Sequence, residues 1–163
     1  MTFPRKKPAS REVNRRRVRA LLIEPQRIFV PALWAILERG GLEVKHAIPE
    51  PDLRSLVEVQ PQFIFFDIDF VYGDPMQIIQ MIRMSLPLAA ICLYTSTERP
   101  PRWQAAWCRA VGQTAGVTGI ISKSAPEEEM LEALGTLIRN GTYSDWRTIP
   151  WIREAGWDPS LPQ

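Results

Sequence analysis

Five short apolar runs, each followed by a longer segment of helical spacing, constrain this chain more than any other feature. The runs are VRALLI (18–23), LEVKH (42–46), FIFFD (63–67), AAICLY (89–94) and GIIS (119–122). Strand-length runs alternating with helix-length segments call for βαβ units and a parallel sheet. The middle run is continuously apolar, as a central strand covered on both faces must be. Punctuation agrees with this reading. Pro31 lies in the first turn of the first helical segment, where its missing N–H costs little, and Gly40-Gly41 closes that segment. Asp74-Pro75 and Ser124-Ala125-Pro126 followed by Glu127-Glu128-Glu129 read as helix starts, and Gly141 stops the last helix, whose apolar face carries Met130, Leu134, Leu137 and Ile138. Five strands and five helices thus account for residues 18–140, and 163 residues suffice for one real core with short extensions.

A doubly wound sheet places its ligand outside the carboxyl ends of its strands. Polar residues capable of chemistry stand at those ends. Glu24 follows the first run; Asp67 closes the third, with Asp69 beyond it; Thr95-Ser96-Thr97 follows the fourth, and Lys123 the fifth. Carboxylates, a hydroxyl and an ammonium converging on one edge suit phosphoryl chemistry. Asp67 can attack phosphorus and form a mixed anhydride, while catalysis needs little beyond positioning and charge neutralisation. Mg²⁺ takes one or two carboxylates plus waters and phosphoryl oxygens. Lys123 supplies a point charge for the phosphoryl group and Thr95 a hydroxyl donor.

The runs PQFIFFDIDF, AAICLYTST and AGVTGIISKSAPEEEMLEAL resemble the third strand, the fourth strand, and the fifth strand with final helix of response-regulator receiver domains. The last run most resembles receivers of the NarL/LuxR class, which usually precede a helix-turn-helix. The likeness covers about residues 18–142. It implies a flavodoxin-like, doubly wound (βα)5 fold with strand order 2-1-3-4-5. It also implies Asp67 as phosphoacceptor, Lys123 and Thr95 as its partners, and a Mg²⁺ site from Glu24, Asp67 and the backbone carbonyl of Asp69. The implied partners are a histidine kinase or histidine phosphotransfer protein and a downstream protein. The latter is reached through the face of the fourth helix, fifth strand and fifth helix, which could also support a homodimer. Any catalysis would concern the chain's own phosphorylation and hydrolysis, so no enzyme is expected.

The sequence departs from that pattern in four places. Glu24-Pro25 stands where receivers carry two adjacent acids, which should lower metal affinity. Phe70-Val71-Tyr72-Gly73 replaces the usual proline-bearing loop, Ile120 occupies a position commonly aromatic, and Ser124 follows the lysine where proline is common. The alternative reading is therefore a degenerate receiver: a phosphorylation-independent adaptor that docks a partner or dimerises.

Charge is uneven. Residues 1–19 hold eight basic side chains against Glu12 alone, leaving 12 basic and 17 acidic residues in the remainder. The expected organisation is a basic arm over 1–17, the domain over 18–141, and a Trp/Pro-rich tail over 142–163, too short for a helix-turn-helix. The arm has Phe3 as its one aromatic and no stacking pattern, and the domain behind it is acidic, which argues against nucleic acid. No run reaches the roughly 18 apolar residues of a membrane span, and no apolar segment follows the N-terminal charges, so a cytoplasmic protein is expected. Cys92 and Cys108 lack metal-ligand spacing, His46 sits on an expected edge strand, and no phosphate-binding glycine motif opens a helix. Trp103 and Trp107 share a face of the expected fourth helix, and Met76, Met81 and Met84 could soften a partner surface.

Overall fold

The apolar runs do form the strands of one parallel sheet. A computed structural model describes residues 17–69, 72–96, 117–141, 143 and 144. In chain order the elements are β1 (Val18–Ile23), α1 (Val30–Arg39), β2 (Leu42–Ile48), α2 (Leu53–Val59), β3 (Phe63–Asp67), α3 (Pro75–Ser85), β4 (Ala90–Thr95), β5 (Val117–Ser122), α4 (Glu127–Asn140) and β6 (Tyr143–Ser144). The sheet order is β2-β1-β3-β4-β5-β6, so the expected 2-1-3-4-5 arrangement holds and a short sixth strand is added beside β5. That strand pairs Gly119 with Tyr143 and Ile120 with Ser144 in parallel. Its two residues carry no strand-length apolar pattern, which is why the sequence assigned them to the tail. The expected fourth helix, with Trp103, Trp107 and Cys108, lies outside the described residues, as do most of the basic arm and the rest of the tail.

Side-chain alternation along the strands sorts the core into two layers. Leu21, Ile23, Ile64, Phe66, Ile91 and Leu93 pack with Leu56 of α2 and Ile79 and Ile82 of α3. Ala20, Leu22, Phe65, Cys92 and Ile121 pack on the other face with Leu33 and Leu37 of α1 and Met130, Leu134 and Leu137 of α4. All five residues of β3 are buried, as a strand covered on both sides requires. Gly119 lets α4 come close: a Cβ there would lie 2.7 Å from Leu137 Cδ2 and 3.2 Å from Cys92 Sγ.

Helix ends follow the sequence punctuation with one exception. Pro31 sits in the first turn of α1, and Gly41 beyond that helix takes φ +98°, a conformation a side chain would strain. Ser124 does not cap α4. The N-cap is Pro126, which makes no side-chain bond, and the first turn relies on Glu127, Glu128 and Glu129 against the positive helix end. Ser124 instead donates its backbone N–H to Ser122 Oγ at 3.0 Å. Glu127 also pairs with Arg39 across the α1–α4 seam. His46 is exposed on the edge strand β2, Met81 is half-buried against the core, and Met84 is exposed. No helix among the described residues is long and apolar enough to cross a membrane.

Phe65 is wholly buried between the sheet and the α1–α4 layer. Phe65→Ala should lower the unfolding free energy by about 3–5 kcal/mol through lost burial and the cavity left behind. Urea unfolding followed by circular dichroism measures this.

Candidate functional site

Sheet register decides which polar residues meet. β1 pairs Ile23 with Phe66, so Glu24 emerges level with Asp67. β4 pairs Tyr94 with Asp67, and Thr95 is aligned with Ser122 of β5, so the next residue, Lys123, leaves the sheet beside them. The Lys123 backbone N–H donates to Thr95 O at 2.8 Å and fixes that exit.

Lys123 is the electrostatic centre. Its Nζ lies 2.6 Å from Asp67 Oδ2 and 3.1 Å from Asp69 Oδ2. The Asp67 side chain is 1% exposed and that of Lys123 22%, so this pair is well shielded from solvent. The ammonium also lies 5.5 Å from the centroid of the Tyr94 ring, within cation–π range. Asp69 is bound on every side: its backbone N–H donates to Asp67 Oδ1 at 3.0 Å, and its carboxylate accepts from Thr95 Oγ1 at 2.6 Å and from the Ser96 N–H at 2.7 Å. The resemblance implied a role for the Asp69 backbone carbonyl; the structure adds bonds from its carboxylate that the sequence did not indicate.

Glu24 is 1% exposed. Its Oε1 accepts from the Gln26 N–H at 2.7 Å, because Pro25 has no N–H to offer, whereas Oε2 is buried with no hydrogen-bond partner. Burial first, and the neighbouring Asp67 charge after it, push this carboxyl up to about 7, against the pull of the Gln26 amide and Lys123. Burial and the carboxylates of Asp67, Glu24 and Asp69 likewise raise the Tyr94 phenol.

Among the described residues no group of three or more His, Cys, Asp or Glu is arranged to hold a metal. Mg²⁺ needs fewer, since it keeps several waters and takes one or two carboxylates. The orphaned Glu24 Oε2 beside Asp67 meets that smaller demand. Next to these groups a cleft of about 280 Å³ opens between α1 and the sheet, walled by Phe29, Leu33, Ile36 and Tyr94. A larger groove of about 380 Å³ lies at the opposite strand ends, around Arg19, Gln60 and Leu88, away from Asp67 and Lys123.

No protein-family model matches the sequence, and no curated protein matches it. Solved structures match in fold. A LuxR-family two-component response regulator from Aurantimonas sp. SI85-9A1 aligns with TM-score 0.70 at 19% identity, over 85% of this chain and 96% of that one. The isolated REC domain of RcsB from Salmonella enterica serovar Typhimurium gives 0.66 at 14%, over 83% and 98%. The signal receiver domain of the putative response regulator NarL from Mycobacterium tuberculosis gives 0.60 at 19%, over 76% and 98%. This chain has the receiver-domain fold.

Within the receiver fold, all five residues singled out from sequence, Glu24, Asp67, Asp69, Thr95 and Lys123, gather at one sheet edge. The bonding differs from expectation in one respect: the Thr95 hydroxyl is committed to Asp69. Ile120, at the commonly aromatic position, is buried in the core. Tyr94 and the Ser96 amide were missed. Tyr94 follows Leu93 inside an apolar run and carries the only phenol there, which is the one signal the sequence offered; a backbone amide offers none.

The raised Glu24 value has a defined consequence for stability. An unfolded glutamate ionises near 4.5, the folded one near 7, so between those values the folded state binds more protons. Stability from this group is fully present below pH 4.5 and is lost as pH rises through about 7. In metal-free buffer, urea titrations across this range should show the wild type losing stability relative to Glu24→Gln, with the difference constant on either side.

Proposed function

We propose that this chain is a signalling receiver that accepts a phosphoryl group on Asp67 from the phosphohistidine of a histidine kinase or phosphotransfer protein. The observation that carries this reading is the Lys123 ammonium 2.6 Å from the Asp67 carboxylate, at the mouth of a strand-end site that also holds Thr95 and Glu24. An Asp67 oxygen would attack phosphorus as the bond from phosphorus to the donor imidazole nitrogen breaks, and the imidazole leaves with that electron pair. Lys123 stands ready to neutralise phosphoryl charge, and the Thr95 hydroxyl and Ser96 amide are donors within the same site. Glu24, Asp67 and the Asp69 carbonyl are the groups that would hold Mg²⁺, whose contribution when bound is to offset the charge of the carboxylates and incoming phosphoryl oxygens. The chain's chemistry would be limited to its own phosphorylation and hydrolysis.

The output side of the reading is a protein partner met on the face that includes β5 and α4. One matched structure is described as two RcsB dimers bound to DNA, and homodimerisation through that face is proposed here by analogy of fold. The second reading, a phosphorylation-independent adaptor, is favoured by one specific observation: Thr95 and Lys123 already engage the Asp69 carboxylate.

The reading is tested with a small acyl phosphate and Mg²⁺. Intact-mass analysis should show one phosphoryl group gained by the full chain and none by Asp67→Asn. Failure of the wild type to label after prolonged incubation, with its fold intact, would promote the adaptor.

A further inference from the structure

Three donors at the strand ends form a cradle: the Thr95 hydroxyl, the Ser96 N–H and the Lys123 ammonium. A hydroxyl, a backbone amide and a cation converging from two strand ends are what an oxyanion takes. In this chain the occupant is internal. Asp69 Oδ1 accepts from Thr95 at 2.6 Å, and Asp69 Oδ2 accepts from Ser96 N at 2.7 Å and pairs with Lys123 at 3.1 Å. Its two oxygens therefore satisfy all three donors together.

The position relative to Asp67 makes this more than a surface bond. The Asp69 N–H is tied to Asp67 Oδ1 at 3.0 Å, and Lys123 bridges the two carboxylates. A phosphoryl group attached to Asp67 would reach for the same ammonium and the same hydroxyl. It would bring about two negative charges of its own close to the Asp69 carboxylate. The one hydroxyl proton cannot serve both anions, and like charges at such range in a shielded site repel strongly. The Asp69 side chain is 14% exposed against 1% for Asp67, so it is the outer carboxylate that has a way out.

We propose that Asp69 is a built-in occupant of the phosphoryl site: its carboxylate holds Thr95, Ser96 and Lys123 in the contacts a phosphoryl group would make, and it must swing out before Asp67 can be modified. This rests on reading Asp67 as the acceptor, but the cradle itself is testable without any covalent step. Asp69 is a positioning residue: it takes no part in bond making, and it decides whether the donors are available.

The experiment compares the full wild-type chain with Asp69→Ala, and with Asp69→Asn as the closer isostere should the alanine variant fold poorly. Inorganic phosphate, which cannot transfer its phosphoryl group to Asp67, is titrated while the Ser96 amide and Thr95 methyl resonances are followed. Before any phosphate is added, removing Asp69 should shift both resonances. The variant should then bind phosphate saturably and at least about tenfold more tightly than the wild type, a ratio equivalent to ~1.4 kcal/mol. Labelling by a small acyl phosphate should be faster in the variant by a similar factor, the acyl-phosphate P–O bond breaking as Asp67 gains phosphorus and the carboxylate leaves. Equal phosphate binding in both proteins, or none in either, overturns the proposal. Tighter phosphate binding in the variant with no labelling of either chain upholds the cradle and instead removes the phosphoacceptor reading.

Discussion

The Lys123 ammonium is the group on which the rest of the site depends. Asp67 closes a strand whose every residue is buried, so its charge sits beside apolar neighbours and needs a counter-charge within reach. Lys123 meets that need from two strands away, arriving over β4 on the far side of Thr95. The pair thereby links the carboxyl ends of β3 and β5. Removing either partner would leave the other charge poorly solvated, a loss of about 3–5 kcal/mol for a fully buried pair and less here, where Lys123 keeps some contact with water. Everything chemically distinctive is arranged around that contact.

Register is what makes so sparse a set of polar groups coherent. Every strand of the sheet runs parallel to its neighbours, so the first polar residue after each central apolar run reaches the same edge. This is why Glu24, Asp67, Thr95 and Lys123 could be read from sequence: each closes or directly follows a strand-length run. The two-layer core was legible for the same reason, since runs such as FIFFD leave no polar face to expose.

What was illegible depended on bonds that a residue's type does not announce. Asp69 is an ordinary acid two positions beyond the strand, and its carboxylate turns toward β4 only because Thr95 and the Ser96 amide are there to receive it. Every residue but proline carries an N–H, so the sequence cannot single out that of Ser96. The β6 pairing is two residues long and depends on where α4 delivers the chain, after Gly141 turns it with φ +80°. The altered ionisation of Glu24 follows chiefly from its burial at the carboxyl end of β1, which a glutamate before a proline does not announce in sequence.

These unread bonds bear on the single acid, Glu24, that follows β1. The site contains three carboxylates, two of them flanking Asp67 on its β1 and β4 sides. On the β1 side there is Glu24 alone, whose burial disfavours its charged form. On the β4 side there is Asp69, anchored by two hydrogen bonds and an ion pair. Negative charge is thus weak where a metal would draw on it and firmly held where a phosphoryl group would be opposed by it. On the proposed reading both act in one direction, favouring the Asp67–Lys123–Asp69 arrangement over a modified Asp67. A cation bound between Glu24 and Asp67 would act against that bias, because it would lower the Glu24 ionisation and compete with Lys123 for Asp67. Lys123 would then be freer to follow Asp69 outward or to meet an incoming anion. On the proposed reading, the balance between metal and anion at this edge would be set by Glu24 and Asp69, the two carboxylates that flank Asp67.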